Sequence, residues 1–162
     1  MITIGRKTIR VFLSFAAKDM QAAEDLWDNL REALATSGTF DWQLWAFTDQ
    51  LLVGEAFDEQ IAEAITTADI GLFALSPAFL NSAYIRRHEL QPFLAQPDSK
   101  RIAPVMLKKL PGSADLRGLK FRQIFGYPAP YWSGRPPHAR ADWANTLADE
   151  LHRLAKHYNL GQ

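Results

Sequence analysis

Apolar residues along this chain fall into two kinds of run that take turns. Ile9 to Phe15 (IRVFLSF), Trp42 to Phe47 (WQLWAF), Asp69 to Leu75 (DIGLFAL) and Ile102 to Leu107 (IAPVML) are short, β-branched or aromatic stretches of strand length. The first is nearly continuous rather than alternating, which predicts a strand buried on both faces, as in a parallel sheet. In the second, Trp42, Leu44 and Ala46 alternate with Gln43, Trp45 and Phe47. Pro104 interrupts the fourth and suits a place where one backbone N–H is not needed. Between these runs the apolar positions recur at helical spacing. Ala23, Leu26, Trp27, Leu30, Ala33 and Leu34 form one stripe, with Glu24, Asp25, Asp28, Arg31 and Glu32 on the opposite side. Asp19 is placed to cap that helix and Ser37-Gly38 to stop it. Phe57, Ile61, Ala64, Ile65 and Ala68 predict a second helix. Trp143, Leu147, Leu151, Leu154 and Tyr158 predict a last one, over about Ala139 to Tyr158, with Asn159 and Gly161 suited to a left-handed cap.

Strands and helices that alternate in this way imply βαβ units, right-handed crossovers and a parallel sheet with helices on both faces. A fifth strand is expected near Arg122 to Gly126. The pattern runs through the whole chain as a single domain, residues 1–162 with a core of about 8–158. Ligands of such sheets sit beyond the carboxyl ends of the strands. Those ends are Ser14-Phe15, Phe47 to Asp49, Ser76 and Lys108.

Composition narrows the chemistry. With 18 basic and 18 acidic residues the formal net charge is zero, and nucleic acid is not the expected partner, since phosphate binding needs clustered positive charge. The basic pairs Arg86-Arg87, Lys100-Arg101 and Lys108-Lys109 read as solvated faces. The chain has no cysteine, which excludes disulfides, thiolate catalysis and zinc–sulfur sites. No apolar run approaches the ~20 residues of a membrane span, and no signal-peptide core opens the chain, so the cytoplasm is the expected compartment. Neither GxxxxGK[ST] nor GxGxxG occurs. The four histidines do not form a metal cluster; His152 and His157 lie on the last helix and read as solvent-facing. A phospho-receiver site is excluded because Phe15-Ala16-Ala17 and Ser76-Pro77 stand where its acids would be, although Lys108 occupies a suitable place for its lysine.

One segment draws attention, Ser76 to Phe93 (SPAFLNSAYIRRHELQPF). Ser76-Pro77 ends the third strand, and Asn81 or Ser82 can cap the helix that follows. Ile85 and Glu89 are one turn apart, as are Tyr84 and His88. Pro92 has no N–H for the carbonyl of His88, so a kink or an end is expected close to Glu89. Glu89 is either a solvated surface acid or a partly desolvated carboxylate facing the crevice beyond the third strand. Leu51, Leu52 and Val53 stand in a row within the loop Thr48 to Glu55 and fit either a partner surface or packing beneath the domain.

These residues resemble a family. VFLSFAAKD is similar to the first signature box of Toll/interleukin-1 receptor (TIR) domains, and FTDQLLVGEAF to the loop after their second strand. ADIGLFALSPAFLNSAYIRRHEL resembles their third strand and the next helix, and IAPVMLKKL their fourth strand, so the likeness covers roughly Thr8 to Tyr158. The resemblance implies a flavodoxin-like three-layer α/β sandwich with a central five-stranded parallel sheet. It implies one of two functions. Some members only bind other TIR domains as signalling scaffolds. Others, bacterial and plant ones among them, cleave NAD⁺ and release nicotinamide with an essential glutamate, which maps onto Glu89. On the enzymatic reading the chain is an NAD⁺ nucleosidase, giving ADP-ribose or a cyclic isomer, with NAD⁺ as substrate and neither cofactor nor metal. Ser14, Phe15, Trp45, Asp49, Ser76 and Tyr84 match positions that line or border the substrate pocket. Leu51, Leu52, Val53 and Gly54 match the loop through which TIR domains assemble into the active homo-oligomer. The implied setting is an antiphage or immune effector whose sensor lies in another domain or on a partner chain.

Overall fold

The computed structural model describes residues 5–46, 57–96, 100–120 and 122–161, with Phe57 and Asp58 described by their backbone alone. Four strands, β1 (Lys7–Ser14), β2 (Phe40–Ala46), β3 (Ile70–Leu75) and β4 (Arg101–Met106), pair in parallel in the order β2-β1-β3-β4. Val11 lies opposite Leu44 on one side and Ile70 on the other. The helices are α1 (Met20–Ala35), α2 (Phe57–Thr67), the single turn α3 (Pro77–Leu80), α4 over residues 83–94, and α5 (Pro137–His157).

Because successive side chains of a strand point to opposite faces, each strand feeds two cores. Ile9, Val11, Leu13 and Phe15 of β1 and its extension, with Ile70, Leu72 and Ala74 of β3, pack against Ala23, Leu26, Trp27, Leu30 and Leu34 of α1 and Trp143, Leu147 and Leu151 of α5. Phe12, Phe73 and Leu75 face the other way, onto Ile61 and Ile65 of α2 and Ile85, Leu90 and Phe93 of α4. All six residues of β3 are buried, the signature of a central parallel strand. The result is the three-layer, flavodoxin-like sandwich. Gly71 marks how closely α4 is seated: a Cβ there would stand 2.7 Å from ring carbons of Phe93 and Phe73. Its lack of a side chain lets α4 lie against β3.

Several local features differ from the sequence-based expectations. The fifth strand is reduced to one parallel bridge between Val105 and Phe125, with Phe125 N–H donating to Pro104 O (2.9 Å) and Met106 N–H to Phe125 O (2.8 Å). Pro104 turns its donor-less nitrogen to that edge, and Gly126, at φ +79°, bends the chain away, so the ladder ends there. His152 is half-buried rather than solvent-facing: its ring lies edge-on to Trp42 (5.0 Å) and bonds Ser37 Oγ (2.8 Å) and Ala148 O (2.9 Å). Lys100 is likewise buried, and its Nζ donates to Thr66 O (2.8 Å) and Ala68 O (2.7 Å), capping the carbonyl end of α2. Burial holds its pKa below the ordinary lysine value, and Asp69 opposes that effect. The end of α5 follows the expectation: Asn159 is left-handed (φ +51°), Leu160 N–H reaches Ala155 O and Asn159 N–H reaches Lys156 O, which satisfies the last carbonyls. Among the described residues no helix is long and apolar enough to cross a membrane.

Candidate active site

The segment from Ser76 to Leu94 is built from the two helices α3 and α4, each started by a serine suited to the task. Ser76 leaves β3 in an extended conformation and accepts a hydrogen bond from Phe79 N–H (3.0 Å), so it caps α3, with Pro77 at the first helical position. Of the two candidate caps for α4, Ser82 acts, accepting from Ile85 N–H (3.2 Å). The helix neither ends nor breaks at Glu89. Over Arg86–Leu90 it widens into a π-turn, closed by Gln91 N–H donating to Arg86 O, and it continues through Gln91–Leu94. The cause is Pro92, whose missing N–H leaves the α-helical bond to His88 O unmade, so the ladder shifts by one residue. The wider turn buries Glu89 and Leu90 side by side, while Arg86, Arg87 and His88 stay exposed. Tyr84 and His88, one turn apart, stack at 4.5 Å on the outer side.

Glu89 is therefore not a surface acid; it is 7% exposed. Burial pushes its carboxyl up from 4.5 to about 7, and the hydroxyl of Ser14 pulls the other way. Ser14 ends β1, opposite Phe73 of β3, and is wholly buried. Among the described residues its Oγ meets no partner at full hydrogen-bonding geometry, so the contact with Glu89 is loose and desolvation dominates. A buried hydroxyl thus lies beside a buried carboxyl at the carboxyl end of β1.

The other expected site residues divide. Trp45 is half-buried, pairs in register with Phe12 and stacks on it (5.3 Å, 11° between planes), on the same face of the sheet as α4. Tyr84 is half-buried against that same core. Phe15 belongs to the opposite core, among α1 and α5. Ser76 is fully buried and spoken for: besides capping α3 it donates its O–H to Asp19 Oδ2. Asp49 and the row Leu51, Leu52, Val53 and Gly54 lie outside the described residues.

Sequence reasoning missed the partner of Ser76. Asp19, expected to cap α1, makes no capping bond. It is 3% exposed and turns inward, where Lys108 Nζ lies 2.7 Å from its Oδ1. The available signal was position: Asp19, Ser76 and Lys108 stand just beyond the carboxyl ends of β1, β3 and β4. Size does not pick the site. The cavity of about 830 Å³ along the β4 edge is lined by Arg101, Phe125, Leu151 and Tyr158, away from Glu89. Glu89 is singled out by chemistry instead, as a carboxyl with its proton affinity moved to neutrality.

A family model described as the TIR domain matches residues 11–130. The chain belongs to the TIR domain family. Among solved structures, the TIR domain of the Toll-related receptor TRR-2 from Hydra magnipapillata superposes with a TM-score of 0.59 at 18% identity, covering 88% of this chain and 97% of that one. At that identity the likeness concerns the fold. A diflavin flavoprotein from Nostoc sp. aligns with a TM-score of 0.49 at 11% identity, covering 96% of this chain and 97% of that one. No curated protein matches the sequence. The TIR family includes signalling modules and NAD-cleaving enzymes, and TIR domains associate with one another.

Proposed function

We propose that this TIR domain cleaves the nicotinamide–ribose bond of NAD⁺, with Glu89 as the catalytic carboxylate. The observation that carries the reading is the buried Glu89–Ser14 pair on the α4 face of the sheet, at the carboxyl end of β1. The chemistry asks for little more. The bond from ribose C1′ to the pyridinium nitrogen breaks with its electron pair staying on nitrogen, so nicotinamide leaves neutral and needs no general acid. Positive charge develops on the ribose as an oxocarbenium-like centre, and one carboxylate stabilises it, where an ordinary glycosidase uses two. Ser14 Oγ offers a hydrogen bond to the ribose hydroxyls or to the carboxylate that holds them. Water then adds to C1′ and loses a proton, giving ADP-ribose; attack by an adenine nitrogen gives a cyclic isomer instead.

Trp45, on the same face, supplies an aromatic surface for a base or the nicotinamide ring. Asp49 and the loop of Leu51, Leu52 and Val53 complete the reading, the first as a pocket residue and the loop as the contact to a second TIR domain. The test is nicotinamide release by the purified, concentrated protein. Release that Glu89→Gln abolishes supports the assignment. Equal release by the wild type and Glu89→Gln sinks it, and no release from either leaves a TIR domain that acts by association alone.

A further inference from the structure

The stretch from Ser76 to Glu89 meets one short piece of chain, residues 14–19, at both ends, and is bonded to it at the first. At its far end Glu89 faces Ser14. At its near end Ser76 O–H donates a hydrogen bond to Asp19 Oδ2, five residues beyond Ser14, and the same hydroxyl oxygen accepts from Phe79 N–H to start α3. Asp19 sits in the 3₁₀ turn Ala17–Asp19, and its own N–H donates to Ala16 O (2.8 Å). Its second oxygen is taken by Lys108, whose ammonium reaches in from a side chain that is 40% exposed. The backbone closes the arrangement: Leu107 N–H and Lys108 N–H both donate to Leu75 O (3.0 and 3.2 Å), the carbonyl just ahead of Ser76. Three strand ends thus meet at one buried carboxylate.

We propose that Asp19 is the positioning residue of the site: with Lys108 as its counter-charge it fixes Ser76, and through Ser76 it sets where α3 and α4 deliver Glu89. The geometry explains why so much polarity is buried there. Ser76 would cap α3 with a threonine's or an asparagine's oxygen just as well, and the cap alone needs no acid beneath it. A buried acid is costly unless it is paired, so the pair with Lys108 is what permits Asp19 to sit where it can accept the Ser76 hydrogen bond. Because a displacement of about 1 Å at a reacting group can cost on the order of a hundredfold in rate, a device that locks the start of the segment acts on catalysis rather than on binding.

The activity arm of the test rests on the proposed NAD⁺ cleavage; the structural arm does not. Asp19→Asn and Lys108→Met are compared with the wild type and with the conservative Lys108→Arg. Asp19→Asn keeps the shape and removes the charge. Lys108→Met acts from the partly exposed side and serves if Asp19→Asn does not fold. Titration of the Glu89 carboxyl is followed by carbon-detected NMR, with Glu89→Gln assigning the signal. In folded Asp19→Asn or Lys108→Met the Glu89 titration is expected to move from about 7 back towards 4.5, as the segment loosens and water reaches the carboxyl. In an active protein, kcat falls about tenfold or more while KM for NAD⁺ stays within about twofold, and Lys108→Arg retains both values. A Glu89 titration that stays at its wild-type position in the folded variants overturns the proposal, whatever the activity does. If the wild type releases no nicotinamide, the functional reading fails and the titration still decides the positioning role.

Discussion

Replacing Glu89 by glutamine removes the charge and keeps the size, and its effect on stability is set by pH. In the folded domain the carboxyl takes up its proton near 7; in the unfolded chain it returns to about 4.5. Below 4.5 the group is protonated in both states and burial costs nothing. As pH rises from 4.5 to 7 the unfolded chain ionises while the folded one holds its proton, so folding is progressively disfavoured. Above 7 both states are ionised and the penalty is constant. The separation of the two values, at about 1.4 kcal/mol for each tenfold in proton affinity, amounts to about 3 kcal/mol. Glutamine does not titrate, so the variant's stability is flat across this window.

The expectation follows directly. At pH 4.5 the two proteins unfold at similar temperatures, and at pH 8 the Glu89→Gln protein is the more stable by about 3 kcal/mol. At roughly 2–4 °C per kcal/mol for a domain of this size, that is a shift on the order of 10 °C. Thermal denaturation followed by circular dichroism at pH 4.5, 6 and 8 measures it, with urea unfolding as the check. A difference between the two proteins that does not grow with pH would show that Glu89 is solvated or matched by a charge, and the account of the site would be wrong at its centre.

Other perturbations probe the surroundings. If ionised Glu89 is the working form, kcat/KM for NAD⁺ falls as pH drops below about 7, and Ser14→Ala displaces that limb to higher pH, because the hydroxyl that favours the carboxylate is gone; an unmoved limb removes Ser14 from the site. Trp45→Ala uncovers Phe12 and is expected to lower stability by about 2 kcal/mol, less than a fully buried tryptophan would, as read from urea midpoints. Leu52→Asp should leave the domain folded and eliminate turnover at high protein concentration, since a charge buried in an interface opposes association; specific activity independent of concentration in the wild type argues for a site complete in one chain.

Much of the fold was legible because hydrophobic periodicity and turn chemistry agree along most of the chain. The nearly continuous run at Ile9 to Phe15 announced a strand covered on both faces, and the stripe of Leu26, Leu30 and Leu34 a one-sided helix. Legibility failed where a polar residue's fate depends on a distant partner. In sequence Lys100 and Lys108 look no different from the adjoining cations Arg101 and Lys109, and nothing local says that Lys100 reaches the end of α2 or that Lys108 reaches Asp19. Asp19 looked like a cap because it precedes a helix; its inward turn is dictated by Ser76, 57 residues away. His152 was misread for the same reason, its company of Trp42 and Ser37 being set by how α5 crosses β2. The π-turn was half visible: Pro92 announced a disturbance near Glu89, but whether the ladder would stop or slip by one residue is decided by Phe93, which has a place to pack above Gly71.

That slip connects the fold to the chemistry. A straight α-helix ending at His88 would leave Glu89 at a frayed, hydrated terminus, where its carboxyl would keep an ordinary proton affinity. Continuing the helix through a π-turn anchors it on both sides, by Ile85 before and Phe93 after, and draws Glu89 out of water between them. Ser14 lies beside it there, at less than full hydrogen-bonding geometry. The domain therefore carries a carboxylate that weakens folding at neutral pH, on a segment whose start is tied down by a half-buried ion pair. The proposed NAD⁺ cleavage gives both features a use. For a site that must meet a developing positive charge, a desolvated carboxylate is suited, because the stabilisation it loses on leaving water is restored as that charge develops.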